Sequence, residues 1–331
     1  MKKLGEEIFL IIGLLFTNLI HCSWIFGNTS ESMLVLANNV GRGGLFLFIL
    51  FLGSYIWKHK DNLNSLILQL LGIYVISFLF HIVTDCCVGS FSGIKGTFYQ
   101  FIRGTPGNLW IVYGALVFSI LVMVYERFNL NKHNKALILF GGGYCIVALT
   151  LFCYANVYSG FLSFDNGFIM KAFNKILGSD RSPYVLAIPF MLIGAYMEEK
   201  KSKKWKVKLL CPVLFFVLWC VEVLLIKRIT ANYNIYMTMI GAISVISLYM
   251  VLKNVFAEEK SVSKKILTFY VALFGIQYSC NRFIVYYFDL AFVWQYLVWF
   301  FCYCVLMIVI ITLLHKAGEN VDKENKEKNI Q

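Results

Sequence analysis

Residues 209–226 read LLCPVLFFVLWCVEVLLI, and this stretch decides the fold. Glu222 is its single charged residue, and the other side chains are almost all aliphatic or aromatic. About 20 such residues, coiled into a helix, cross the ~30 Å hydrocarbon core of a bilayer. A strand of a membrane barrel would instead alternate apolar and polar positions over about ten residues. Because this stretch does not alternate, it predicts a transmembrane helix.

Comparable apolar runs recur along the chain. Of its 331 residues, 59% are hydrophobic and only 15% are charged, whereas a typical soluble domain has about 25% charged residues. Helices and closed barrels are the structures that satisfy the backbone in lipid. The sequence therefore predicts an all-α, polytopic membrane helical bundle with about ten transmembrane helices. The predicted spans are 8–26, 38–57, 65–85, 108–125, 135–153, 183–197, 207–226, 235–252, 266–281 and 291–315.

The distribution of positive charge predicts the orientation of these spans. Lysine and arginine favour cytoplasmic loops, and most of the 30 in this chain fall inside if the amino terminus is cytoplasmic. Both termini are then cytoplasmic. We expect residues 1–315 to form the membrane domain and residues 316–331 to form a charged, disordered tail. The net charge of +12 is explained by loops that face anionic lipid, so no nucleic-acid partner is predicted.

Signatures of soluble enzymes and metal sites are missing from the sequence. The ten cysteines show no zinc-binding spacing, so no metal is predicted. The chain has no phosphate-binding glycine loop and no nucleophile elbow. Two longer predicted outer loops, 86–107 and 154–182, could form a lid over the bundle or serve as plain connectors, and the sequence leaves both interpretations open.

Ionisable residues within the membrane are expensive and therefore indicate a functional site. His21 lies late in the first span and could exchange a proton near neutral pH, although a neighbour could also satisfy it. Arg42 opens the second span. Its guanidinium could hold a carboxylate or a phosphate, or it could extend to the interface.

Two acids lie in or beside other spans. His81 and Asp85 are four residues apart and share one helical face, so the aspartate could orient the histidine. Glu222 is the most deeply placed acid in the chain. It is either protonated, because desolvation raises the pKa of a carboxyl, or paired with an inward-facing cation.

The outer ends of several spans carry further candidates. Arg103, Arg181 and Arg282 could together line a mouth for an anionic substrate, and solvated loop charges are the alternative interpretation. Trp110 could stack on a sugar, although most aromatic residues in such proteins face lipid or form interfacial belts. We count Asp85, Arg103, Trp110 and Glu222 as candidate substrate-binding residues.

Four segments resemble acyltransferase family 3, a family of multi-span membrane O-acyltransferases, over nearly the whole chain. The first span ends in a histidine, His21, and the second begins with RGGLFLFILFLGSY at 42–55. The segment NLWIVY at 108–113 resembles the entry to that family's fourth span. The segment IPFMLIGAY at 188–196 is the most specific match. Leu10 stands where the family usually has an arginine, so the chain resembles a divergent member.

The resemblance implies transfer of an acyl group, usually acetyl, from cytoplasmic acyl-CoA to a hydroxyl of a cell-surface or lipid-linked glycan. His21 would be the general base and Arg42 the electrostatic support, and the basic loop 200–208 could attract the anionic acyl-CoA. No other cofactor is implied. A composition rich in lysine, isoleucine and asparagine is typical of a bacterial plasma-membrane protein.

Two other classes of membrane protein fit the same composition. A transporter or flippase predicts a continuous polar path that includes Glu222 and His81, whereas an enzyme predicts a closed pocket around His21. A glycan polymerase commonly carries a large outer loop with several acidic or arginine residues, and loop 154–182 is modest in comparison. The sequence makes no prediction of oligomeric state.

Overall fold

The computed structural model describes residues 5–23, 31–104, 107, 109–128, 143–144, 183–199, 208–229, 237–256, 262–288, 301 and 305. This part of the chain is all-α and contains no strand, which confirms the predicted fold class. The α-helices are α1 (Glu7–Ser23), α2 (Glu31–Lys58), α3 (Asn64–Cys87), α4 (Gly93–Arg103), α5 (Leu109–Arg127), α6 (Ile188–Glu199), α7 (Leu210–Ile229), α8 (Met239–Phe256) and α9 (Lys264–Phe288). A 3-10 turn, Lys60–Asn62, precedes α3, and a π-helical turn, Pro183–Ala187, precedes α6.

Within these residues, four helices are long and apolar enough to cross a membrane. They are Asn39–Lys58, which is most of α2, together with α3, α5 and α8. The chain is therefore a membrane protein. The predicted spans 135–153 and 291–315, loop 154–182 and the tail 316–331 lie almost entirely outside the described residues. The full number of spans and the sides of the two termini stay predictions.

Helix α2 is the centre of the bundle. All eight residues at positions 45–52 are buried, so α2 has no polar face over two turns, as expected of a helix surrounded by protein. It contacts α1, α5, α6, α7 and α8. The helix begins at Glu31, earlier than the predicted span start at 38.

Glycines allow the neighbours of α2 to approach closely. A side chain at Gly53 would meet the backbone of Met191 on α6, and one at Gly194 would meet the carbonyl of Leu50. On the other side of α2, Gly44 packs against Phe16 of α1. Small residues at such crossings maximise van der Waals contact between helices, which is a main source of association in lipid.

Side-chain contacts fix the helix directions. Gly13 packs against Phe48 and Gly44 against Phe16, so α1 and α2 are antiparallel. The ring of Phe46 lies 4.5 Å from that of Phe190. About two turns further along both helices, the hydroxyl of Ser54 donates to the carboxylate of Glu198 at 2.7 Å. Helices α2 and α6 are therefore parallel.

The same reasoning orders the remaining helices into two opposite sets. Helices α1, α3, α7 and α9 begin at one end of the bundle, where α2, α5, α6 and α8 end. We call this the Glu6 end, because Glu6 pairs there with Lys58 at 3.0 Å, beside the Lys60–Glu126 pair at 2.6 Å. The opposite end is the Asp85 end. Since α5 and α6 run in the same direction, the carboxyl end of α5 and the amino end of α6 lie at opposite ends, as a fifth span between them requires.

The predicted outer loop 86–107 contains the short helix α4. Its apolar residues Ile94, Phe98 and Ile102 are exposed, Ile94 to 86%, while Phe101 packs its ring on Tyr74 at 5.2 Å and on Phe78 at 5.0 Å. The loop is therefore partly helical and is anchored to α3.

Helix α3 has two unlike faces. One face is apolar and exposed along its length, as expected of a surface that meets lipid, and it comprises Leu68, Leu71, Val75, Ile76, Leu79, Phe80 and Val83. The opposite face is buried and becomes polar toward the Asp85 end, where Ser77, His81, Thr84 and Asp85 follow one another. This buried polar strip points to the site.

Candidate functional site at the Asp85 end

Two parallel helices bring four polar side chains together at the Asp85 end. On α3, His81 and Asp85 are one turn apart, and on α9, Ser279 and Arg282 are also about one turn apart. Nδ1 of His81 lies 3.2 Å from Oγ of Ser279, and Nε2 of His81 lies 3.4 Å from Oδ2 of Asp85. Because the polar residues have the same one-turn spacing on α3 and α9, residues almost 200 positions apart in sequence form one cluster.

Asp85 is the acceptor at the centre of this cluster. Its Oδ1 accepts from Arg282 at 2.6 Å and from the hydroxyl of Ser90 at 3.2 Å, while Oδ2 faces His81. Arg282 also donates to Ser90 at 2.8 Å. A buried carboxylate is stable when it is paired and hydrogen-bonded, and Asp85 meets both conditions. The spacing of Asp85 and His81 in the sequence predicted that these two residues share a helical face, but it gave no partner from α9.

The neighbours of His81 favour one tautomer of its neutral ring. A carboxylate accepts hydrogen bonds, and Oδ2 of Asp85 lies 3.4 Å from Nε2, which favours a proton on Nε2 and leaves Nδ1 to accept from the Ser279 hydroxyl. Hydroxyl, imidazole and carboxylate then stand in series, the order by which a histidine takes a proton from an alcohol while an acid supports the imidazolium. Ser279 itself is buried.

The residues suggested by the family resemblance lie at the same end. His21 is in the last turns of α1, and the antiparallel packing of α1 on α2 puts those turns beside the start of α2. The side chain of His21 falls outside the described residues. Arg42 is buried on α2, between Asn39, which donates to the sulfur of Cys220 at 3.6 Å, and Gly43, which faces Trp219. Arg42 therefore lies close to the contact between α2 and α7.

The remaining predicted substrate residues are more scattered. Glu222 is partly buried on α7, one turn beyond Trp219. Arg103 ends α4 and stacks its guanidinium over Tyr99 at 4.0 Å. Trp110 is fully buried at the start of α5, so stacking on a sugar requires this part of the bundle to open. All of them belong to the Asp85 half of the molecule.

A second buried cluster lies at the Glu6 end, and sequence reasoning missed it. Glu198 accepts from Ser54 and from Lys253, each at 2.7 Å, and Lys253 also reaches Ser54 at 3.3 Å. From the sequence, Glu198 and Lys253 looked like charges of inner loops. Both lie on the last turns of their helices, and only the crossing of α6 and α8 on α2 shows that they meet.

An apolar layer separates the two clusters. Phe48 of α2 and Phe274 of α9 stack with ring centroids 4.4 Å apart and nearly parallel planes, and Phe46 packs on Phe190 in the same region. Both Phe48 and Phe274 are fully buried. In the part of the chain that the structure describes, these ring pairs therefore lie between the two clusters.

In the described ranges, no group of three or more histidine, cysteine or acidic residues could hold a metal ion. Comparison of the chain with protein-family models, with curated proteins and with solved structures gives no match in any of the three.

Proposed function

We propose that this protein is a membrane O-acyltransferase that moves an acyl group, most simply acetyl, from acyl-CoA to a hydroxyl of a cell-surface or lipid-linked glycan. The observation that carries the proposal is the buried series Ser279–His81–Asp85, held by Arg282. This series gives an oriented imidazole at the end of the bundle that also contains His21 and Arg42.

The chemistry needs one base and one site for negative charge. The glycan hydroxyl gives its proton to an imidazole as its oxygen attacks the thioester carbonyl, the carbon–sulfur bond breaks, and the thiolate of CoA takes up the proton. The family resemblance implies His21 as that imidazole. The geometry offers His81, where the glycan hydroxyl would replace the Ser279 hydroxyl at Nδ1 and Asp85 would stabilise the charged ring. Arg42 would support the developing oxyanion.

The orientation proposed for this reaction has the Glu6 end in the cytoplasm of a bacterial cell, with both termini on that side. Support comes from the sequence, in which most of the 30 lysine and arginine residues fall in the segments that this orientation places inside. Anionic acyl-CoA would approach there. The twelve residues of α2 between Arg42 and Ser54 span about 18 Å at 1.5 Å per residue, and the donor's acyl group would have to cover that depth.

A transporter is the main rival. It requires a polar path from end to end, and the stacked rings of Phe48 and Phe274 count against such a path where α2 meets α9. The aromatic layer therefore favours chemistry at one end over passage of a polar solute. Loop 154–182, on which a polymerase would depend, lies outside the described residues.

The proposal is tested by the acetyl content of the cell-surface polysaccharide. We would compare the intact gene, a deletion, His21→Ala and His81→Ala at equal membrane levels. His133→Ala, in a predicted inner loop, is the matched control. Deletion should abolish the acetate, and loss of a general base should lower the transfer rate by about 10²–10⁴-fold, whereas His133→Ala should change nothing.

The single variants separate the two histidines. Acetate lost in His81→Ala and kept in His21→Ala would assign the base to His81, and the reverse result would assign it to His21. If the deletion strain keeps all its acetate, the proposed activity is wrong.

A further inference from the structure

A second candidate site lies at the Glu6 end, away from the cluster around Asp85. The chain leaves α2, makes the 3-10 turn Lys60–Asn62 and enters α3, and the residues that precede and begin α9 face this turn. Between them is an open cavity of about 260 Å³, near the lower size limit of small-molecule sites. It is lined by Tyr55, His59, Asn62, Leu66, Val262, Ser263 and Lys264.

The polar part of this lining is rich in hydrogen-bond donors. Lys264 brings an ammonium group, Asn62 an amide and Tyr55 a phenol. The oxygen of Ser263 accepts from the backbone N–H of Ile266 at 3.3 Å, which leaves its own proton to donate. Nδ1 of His59 lies 2.9 Å from the carbonyl oxygen of Tyr55, so Nδ1 carries a proton.

Among the described residues, no carboxylate lines the cavity, and the acids Glu6 and Asp61 beside it are engaged or exposed. Glu6 pairs with Lys58 at 3.0 Å and accepts from the backbone N–H of Val262 at 3.3 Å. Asp61 is in the turn, where it is exposed to solvent. The cavity therefore combines a positive charge and neutral donors with an apolar wall from Leu66 and Val262.

We infer that this cavity binds a phosphate group of an anionic ligand, with Lys264 as the charged contact and Asn62, Ser263 and Tyr55 as neutral donors. Phosphate oxygens accept several hydrogen bonds at once, and charge-assisted bonds to them are the stronger kind. The apolar wall would hold the part of the ligand next to the phosphate. Two sources carry this chemistry at a membrane surface, a phospholipid headgroup and a soluble nucleotide phosphate. The inference stands without the proposed acyl transfer.

The two sources are tested separately on the full-length protein in neutral detergent. Native mass spectrometry would measure retention of phosphatidylglycerol. Titration calorimetry would measure binding of adenosine 3′,5′-bisphosphate, a soluble probe that carries only the nucleotide phosphates. Each measurement is made on the unaltered chain, Lys264→Gln, Asn62→Leu and Lys265→Gln.

Lys265→Gln is the matched control, because it removes the same charge from the next residue, which is exposed and outside the cavity lining. Loss of the charged contact in Lys264→Gln should weaken binding at least about tenfold, and Asn62→Leu should weaken it severalfold with no change in charge. Lys265→Gln should stay within about twofold of the unaltered chain, as is usual for an exposed charge.

Binding of the lipid alone assigns the cavity to a headgroup, and binding of the bisphosphate alone assigns it to a soluble ligand. Either result supports the inference if Lys264→Gln and Asn62→Leu weaken it. The inference is overturned if neither probe binds the unaltered chain, or if Lys265→Gln weakens binding as much as Lys264→Gln. An unfolded variant is recognised by its elution profile. If Lys264→Gln is unfolded, the binding measured for Asn62→Leu, which keeps every charge, decides the test.

Discussion

At the scale of single residues, Asp85 interacts with three side chains at the Asp85 end. It accepts from Arg282 and Ser90 and faces His81. Its side chain is 9% exposed, while that of Arg282 is 31% exposed. The carboxylate is therefore the buried member of the pair, and the guanidinium keeps some contact with the surroundings.

Replacing Asp85 tests this arrangement. Asp85→Asn removes the charge that Arg282 faces. Breaking a fully buried pair costs about 3–5 kcal/mol, and we expect about 1–3 kcal/mol here because solvent screens the exposed part of Arg282. Thermal unfolding in detergent measures the loss, with the exposed Asp61→Asn as the control. The double variant Asp85→Asn with Arg282→Gln should recover part of the stability.

A double variant no more stable than Asp85→Asn would contradict the pairing. So would equal melting temperatures for Asp85→Asn and Asp61→Asn.

At the scale of helices, the crossing of α6 on α2 depends on two glycines. Gly53 and Gly194 each leave no room for a Cβ, because backbone of the partner helix occupies that space. Gly72 of α3 offers the opposite case, since a Cβ there meets nothing within 4 Å. The three positions are all within helices, so they differ mainly in their surroundings.

Alanine substitutions at these glycines should have opposite effects on the stability of the bundle. Gly53→Ala and Gly194→Ala should each destabilise the bundle by at least about 1–3 kcal/mol, the usual cost of overpacking. Gly72→Ala should be neutral or stabilising by up to about 1 kcal/mol, because alanine is the better helix former. Melting temperatures of the three purified variants check this order, and a stable Gly53→Ala protein would show that α2 and α6 are further apart.

The helices themselves could be predicted better than their contacts. Apolar runs predict the spans of α3, α5 and α8 closely, because the requirement to cross lipid acts on each run alone. Which helices touch depends on close packing between small residues, and Gly53 does not identify Gly194 as its neighbour. Spacing predicted that His81 and Asp85 share a face. It could not supply Ser279 and Arg282, which come from another helix.

At the scale of the whole molecule, polarity is concentrated at the two ends. The cluster at the Asp85 end belongs to α3 and α9, whereas the Ser54–Glu198–Lys253 cluster belongs to α2, α6 and α8. The residues of each cluster come from helices that are far apart in sequence. Sequence alone therefore did not show that these residues meet, and a charge such as Glu198 could be assigned to a loop. The proposed acceptor site and the phosphate-binding cavity consequently lie at opposite ends of the bundle.

The stacked rings of Phe48 and Phe274 predict a further property of the molecule, electrical insulation between its two ends. A proton or small ion crossing beside these rings would enter apolar surroundings, where charge is very costly. We therefore expect liposomes containing the purified protein to hold an imposed pH gradient as long as empty liposomes do, as followed by an entrapped pH-sensitive dye. Phe48→Ala, which opens the layer, should shorten that time. A cell could then carry many copies in its membrane without discharging the proton-motive force on which it lives.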